Sequence, residues 1–144
     1  MNTEYKNFSQ LLHLTSRALR MAIDRRLKYL GLSQASWVAV AAIAGAQTPL
    51  SQSELAQILG VEGATIVTMV DRLVKTGLVQ RIATLSDRRK KLLVVTAQGK
   101  DLYEKVRSEA DALGKEILDK VAEQDMQVTM RVLAEVYAAT EAMA

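Results

Sequence analysis

Residues 51–96 set the strongest constraint on how this chain can fold, because two short helical patterns and two aliphatic segments follow one another there with glycine at the joints. Ser51-Gln52-Ser53-Glu54 has the form of a capping box, in which the Ser51 side chain and the Glu54 carboxylate satisfy each other's orphan backbone donors. Leu55, Ala56, Ile58 and Leu59 supply an apolar face, and Gly60 stops the helix at the position that tolerates a left-handed residue. The spacing of Ile66, Met69, Val70 and Leu73 predicts a second helix from about Glu62 to Thr76, closed by Gly77. Residues 78–83 and 92–95 are short and aliphatic or β-branched, with the polar stretch 84–91 between them, which predicts a hairpin with a charged tip.

Helices are predicted on both sides of this unit. Phe8, Leu11, Leu12, Thr15, Leu19, Ile23, Leu27 and Leu30 fall at spacings of three and four and place one stripe on a helix that Gly31 ends. Ser33 can cap a helix from Gln34 to about Ala46, after which Pro49 breaks the pattern. Beyond Thr96, Leu102, Val106, Leu113, Ile117, Leu118 and Val121 mark a long helix, and Asp125 is placed to cap a last one carrying Val128, Val132, Leu133 and Val136. The expected fold is mainly α with a small β-hairpin, one unit of 144 residues, large enough to bury a core without staples.

Composition narrows the chemistry. Cysteine is absent and His13 is the single histidine, so disulfides, thiolate metal sites and a polyhistidine site are excluded, and no metal or cofactor is expected. The methionines Met21, Met69, Met126 and Met130 read as core rather than as a cofactor site. The seven glycines are spread over element boundaries rather than gathered in a phosphate-cradling loop, and neither Gly-x-Ser-x-Gly nor His-Glu-x-x-His occurs. Asp101, Glu104, Asp111 and Glu116 read as the solvated face of a helix rather than acid/base pairs, so an enzyme is not expected. No apolar run approaches the roughly 20 residues needed to span a bilayer, and the start of the chain lacks the pattern of a signal peptide. A cytoplasmic protein without a membrane partner is the expectation, associated with the nucleoid when bound to DNA.

Charge points to a partner. The net +3 divides into +4 for residues 1–50, +3 for 51–95 and −4 for 96–144, a basic body with an acidic tail, as suits a polyanion held by the first two-thirds. With the apolar face of the second short helix turned inward, Thr65, Thr68, Arg72 and Lys75 lie outward, and the hairpin tip carries Arg88, Arg89, Lys90 and Lys91. Helix, turn, helix and basic hairpin is the order of a winged helix-turn-helix, whose second helix enters the major groove while the hairpin reaches the backbone or minor groove.

The residues that compose this pattern resemble the MarR (multiple antibiotic resistance regulator) family of transcription factors, and within it the SlyA-like branch. The resemblance lies in Ser53-Glu54-Leu55-Ala56-Gln57-Ile58-Leu59-Gly60-Val61, in Val70-Asp71-Arg72-Leu73-Val74-Lys75-Thr76-Gly77-Leu78-Val79, and in the wing Ser86-Asp87-Arg88-Arg89-Lys90 leading into Val95-Thr96-Ala97-Gln98-Gly99. Ala22-Ile23-Asp24-Arg25-Arg26-Leu27-Lys28 and Leu32-Ser33-Gln34-Ala35-Ser36-Trp37-Val38 are similar to the SlyA-like pattern in the first two helices. The resemblance implies a homodimer on double-stranded DNA, with residues 1–32 and 99–144 as the helical dimerisation region and 33–98 as the winged lobe. It implies a transcriptional regulator, repressor or activator, acting on a pseudo-palindromic operator with half-sites about 34–36 Å apart.

The same resemblance assigns Arg89 to the minor groove and Asp87 to orienting the wing through an arginine, with Arg88, Lys90 and Lys91 also at the DNA. Narrow A·T-rich minor grooves attract such arginines, so an A·T-rich site is expected. Ser51, Gln52 and Ser53, at the start of the first short helix, join Thr65, Thr68, Arg72 and Lys75 of the second as DNA-binding residues. SlyA-like sequences often carry arginine where this chain has Thr68, and threonine cannot make the bidentate guanine contact. Family members commonly release DNA when a small aromatic acid or lipophilic anion binds, and Arg17 and Trp37 match positions lining that region. The competing readings are an architectural DNA binder with little sequence preference and a winged-helix module that binds protein.

Overall fold

A computed structural model describes residues 3–84, 86 and 90–144. Among these residues the chain forms α1 (Thr3–Arg26), a 3-10 turn (Lys28–Leu30), α2 (Gln34–Gly45), β1 (Leu50–Ser51), α3 (Gln52–Leu59), α4 (Gly63–Lys75), β2 (Val79–Ala83), β3 (Lys91–Val95), α5 (Ala97–Leu118) and α6 (Glu123–Ala142). The fold is mainly α with a small antiparallel sheet.

Local chemistry sets the boundaries around the two short helices. The Ser51 hydroxyl accepts from the Glu54 N–H at 3.2 Å, and the Glu54 carboxylate accepts from the Ser51 N–H at 3.2 Å, so both halves of the capping box are made. Gly60 adopts φ +67°, a conformation costly to a residue with a Cβ, and its N–H closes α3 onto the Ala56 and Gln57 carbonyls. Ser33 caps α2 by accepting from the Ser36 N–H at 3.2 Å.

The sheet has three strands rather than the two of a simple hairpin, in the order β1-β3-β2. β2 and β3 pair from Val79↔Val95 to Ala83↔Lys91, and β1 adds Leu50↔Leu93 and Ser51↔Leu92 on the far side of β3. A two-residue strand has no periodicity to read. Its geometry is supplied by the cap, since an N-cap residue takes extended backbone angles, and Ser51 sits at φ −77°, ψ 164°.

Two boundaries and one helix face differ from the pattern in the sequence. α1 ends at Arg26 instead of continuing to Gly31, because the Leu27 N–H is shared between the Ile23 and Asp24 carbonyls at 3.0 and 3.1 Å and the chain tightens into the 3-10 turn. That tightening seats Leu27 in the core. α6 is capped by Ala122, not Asp125, with no side-chain cap bond; Asp125 stands in its first turn, where a carboxylate faces the positive end of the helix dipole. Ile58, expected on the apolar face of α3, is 59% exposed.

Two compact units divide the chain at Ala110 and Asp111. The first holds the core, built from Leu27, Trp37, Val40, Ile43, Leu50, Leu55, Ile66, Val70, Leu73, Leu78, Val79, Leu93, Leu102 and Val106. The Trp37 indole N–H donates to Asp24 at 2.9 Å, satisfying the polar atom of a buried ring and tying α2 to α1. α5 enters the core on a close backbone contact at Gly99, where a Cβ would lie 2.1 Å from the Leu78 carbonyl oxygen. Thr96 sets that contact by donating to the Gly77 carbonyl at 2.6 Å and accepting from the Gly99 N–H at 3.0 Å.

Apolar surface remains uncovered in each unit. In the first, every residue of α1 from Glu4 to Met21 is exposed, including Tyr5, Leu11, Leu12, Leu14 and Leu19. In the second, no residue of α6 is buried, and Val128, Met130, Val132, Val136 and Tyr137 are exposed. No helix among the described residues is long and apolar enough to cross a membrane.

Candidate nucleic-acid interface

α4 is the most amphipathic element of the lobe. Ile66, Val70 and Leu73 are buried on one side. At 100° per residue, the opposite line carries Ala64, Thr68 and Lys75, with Thr65 and Arg72 on one shoulder and Val67 and Asp71 on the other. All seven are exposed, so the four residues singled out on this helix, Thr65, Thr68, Arg72 and Lys75, share one free surface.

Two clefts flank that surface. Ala35 and Ser36 at the start of α2 meet Thr65, Thr68, Met69 and Arg72 of α4 around a cleft of about 440 Å³. On the β side, Ser51, Gln52, Ser53 and Glu54 at the start of α3 meet Arg81, Lys90 and Lys91 around a cleft of about 650 Å³. The structure thus gathers Ser51, Gln52, Ser53, Lys90 and Lys91 at one place, with three cations against one carboxylate. That carboxylate, Glu54, is held below its ordinary value by the Ser51 backbone N–H, then by the Ser51 side chain, with a smaller pull from Lys90. Its negative charge is therefore kept to cap α3. Asp87, Arg88 and Arg89 lie outside the described residues.

One functional residue escaped the sequence reading. Arg81 on β2 donates through Nε to Gln52 Oε1 at 2.8 Å and through Nη2 to Asp71 Oδ1 at 2.5 Å. A single guanidinium therefore joins the start of α3, the middle of α4 and the wing strand, a task suited to its forked donors. The signal was present: residues 79, 81 and 83 share a face of the strand, and Val79 is buried, so an arginine in that phase requires a partner.

Arg17 and Trp37 are placed differently from each other. Trp37 belongs to the core, with its N–H given to Asp24, whereas Arg17 is exposed on α1. Arg20, the next residue but two along α1, lines a cavity of about 210 Å³ with Gln34, Val38, Ile58, Leu59 and Met69 among its other walls.

Comparison with known proteins adds to this geometry. A family model described as MarR family matches residues 30–90. The crystal structure of transcriptional regulator PA3341 is 38% identical, with a TM-score of 0.86 over 93% of this chain and 98% of that one. A SlyA-like transcription regulator from Listeria monocytogenes is similar in fold at 22% identity, with a TM-score of 0.78 over 91% of this chain and 87% of its own. A putative MarR family regulator from Listeria monocytogenes, solved with a 26mer DNA, is similar in fold at 22% identity, with a TM-score of 0.79 over 90% and 86%.

Proposed function

The chain belongs to the MarR family of transcriptional regulators, and we propose that it binds double-stranded DNA sequence-specifically as a homodimer, on a pseudo-palindromic, A·T-rich operator. The observation that carries this reading is the set of exposed donors on the outer face of α4 and around the cleft that brings the start of α3 to Arg81, Lys90 and Lys91. Hydroxyl, guanidinium and ammonium groups there are the donors that phosphates and base edges accept. Arg81 supports it by holding the three elements in one arrangement. The family consists of transcriptional regulators, not enzymes, and the residues of SlyA-like pattern in the first two helices support a reading within that branch.

The dimer reading rests on α1 and α6. An isolated helix is marginal in water, and most helical stability in proteins comes from packing an apolar face. Both helices carry apolar residues that nothing in their own unit buries, which a second copy of the chain supplies. Residues 1–32 and 99–144 then form the dimerisation region and 33–98 the DNA-binding lobe. Bound across a promoter, such a dimer occludes or displaces other DNA-bound proteins.

Release by a small lipophilic anion is proposed at the cavity beside α1, where the Arg20 cation stands over apolar walls. Titration with salicylate-like anions is expected to raise the melting temperature and weaken operator binding; no change in either argues against the switch.

The test of the main reading is selection from a randomised DNA pool, followed by affinity for the recovered site against scrambled DNA over a range of salt. A two-fold symmetric, A·T-rich site bound about a thousandfold more tightly is the expected result. Salt-sensitive binding without a recovered motif supports an architectural binder instead. A folded dimer that binds no DNA supports a protein-interaction module.

A further inference from the structure

In a helix-turn-helix the N-terminal residues of the second helix meet the base edges, and α4 has an unusual composition there. Its first six residues, Gly63-Ala64-Thr65-Ile66-Val67-Thr68, contain no arginine, lysine, asparagine, glutamine or carboxylate. Every side chain that pairs bidentately with guanine or adenine, and every carboxylate, is missing from the stretch. The cations of the outer surface, Arg72 and Lys75, come one to two turns later.

The threonine at the centre of this surface has its hydroxyl engaged. Thr68 Oγ1 donates to the Ala64 carbonyl at 3.2 Å, turned back along its own helix. Thr129 and Thr140 do the same on α6, each at 2.8 Å to the carbonyl four residues earlier. This is the local competition between side chain and backbone that helical threonines show. Its consequence on α4 is that the Thr68 hydroxyl proton is turned away from a groove, which leaves the acceptor oxygen and the methyl, one turn from the Ala64 methyl on the same line of the helix.

The major groove offers one apolar group, the C5 methyl of thymine. We propose that the N-terminal half of α4 is a thymine reader, in which the methyl groups of Ala64 and Thr68 pack on thymine methyls and bidentate base readout is absent from these two turns. The inference rests on the DNA-binding reading above and names what that surface selects. Burying one methyl against another is worth roughly a fourfold change in affinity, so each position discriminates gently. The operator is then specified by several thymines in sum, together with the groove shape of A·T-rich sequence.

The experiment uses the whole chain on the operator recovered by pool selection, with its thymines replaced one at a time by deoxyuridine, which lacks only the methyl. Affinity is expected to fall roughly fourfold at one or two neighbouring positions in each half-site and to hold at the other thymines. Thr68→Ser is expected to lose a similar factor on the natural operator and to become indifferent to deoxyuridine at one position. Thr68→Val keeps the methyl and is expected to retain both affinity and sensitivity. Uniform indifference to deoxyuridine on a specifically bound operator overturns the thymine inference while leaving the regulator reading intact. Loss of discrimination in Thr68→Val overturns it in favour of the hydroxyl. Failure to recover any operator overturns the regulator reading and this inference together.

Discussion

Arg81 Nη2 lies 2.5 Å from Asp71 Oδ1, with the Asp71 side chain 60% exposed and that of Arg81 26% exposed, so the wing strand and the second short helix are bonded across their solvent edge. The pair is screened, and its worth to folding is about 0.5–1 kcal/mol. A larger effect on DNA binding is expected, because the same guanidinium also fixes Gln52 at the start of α3. Arg81→Lys keeps the charge and loses the fork, and we expect little change in melting temperature with an operator affinity several-fold lower. A double-mutant cycle with Asp71→Asn is expected to be non-additive in affinity, and strict additivity would remove Arg81 from the positioning role.

Gly99 is the residue least open to change in the joint between lobe and α5. A Cβ there would stand 2.1 Å from a backbone carbonyl, which cannot move as the end of a side chain can. Gly99→Ala is expected to destabilise the protein by about 1–3 kcal/mol in denaturant unfolding. Gly114, also on α5, has open space where its Cβ would go, so Gly114→Ala is expected to be neutral or to stabilise by up to about 1 kcal/mol. Equal costs at the two positions would contradict the close-contact account.

The capping box makes one contribution to stability depend on pH. Glu54 is held below its ordinary value in the folded state, chiefly by the Ser51 backbone N–H, so the unfolded chain binds that proton more readily. The sign follows: the contribution is fully present above the unfolded carboxylate pKa and is lost as pH falls through the lowered folded value. Glu54→Gln keeps an acceptor for the Ser51 N–H and cannot titrate. Comparison of melting curves should show the wild type losing stability relative to this variant below about pH 5, and parallel curves would contradict the assignment.

If α1 and α6 are covered by a second copy, the melting temperature rises with protein concentration, because dissociation and unfolding are linked. Leu14→Glu, at a side chain 49% exposed in one chain, is expected to give a monomer of lower and concentration-independent melting temperature, read by sedimentation and calorimetry. A wild-type chain that sediments as a monomer at all concentrations would refute the dimer.

Lys75 and Thr68 share one line of α4 and should separate in their effects. Lys75→Gln removes one cation, and if that cation lies at a phosphate the slope of log affinity against log salt falls by about 0.9 with site preference unchanged. An unchanged slope would place Lys75 away from the backbone.

Much of this was legible in order of residues. The capping box, Ser33, Gly60 and the spacing of Ile66, Val70 and Leu73 act within a turn or two of the chain, so the helices they define stand where the sequence puts them. The outward placement of Thr65, Thr68, Arg72 and Lys75 follows from helical periodicity alone. The third strand, the 3-10 turn after Arg26 and the Ala122 cap did not follow. Each depends on what the segment packs against, and Leu50 becomes a strand residue only because Leu93 lies opposite.

The sequence by itself determined which residues are polar and free on each helix, because hydrophobic periodicity and caps are local. Only the tertiary structure decided that Arg81 bonds Gln52 and Asp71, from positions 29 and 10 residues away along the chain. It also decided that Gly99 meets Leu78 and that α1 from Glu4 to Met21 finds no cover in its own unit. Such relationships come from close packing of segments distant in sequence. In a core filled to crystal density, the atoms that meet are selected by the whole arrangement rather than by neighbours in the chain.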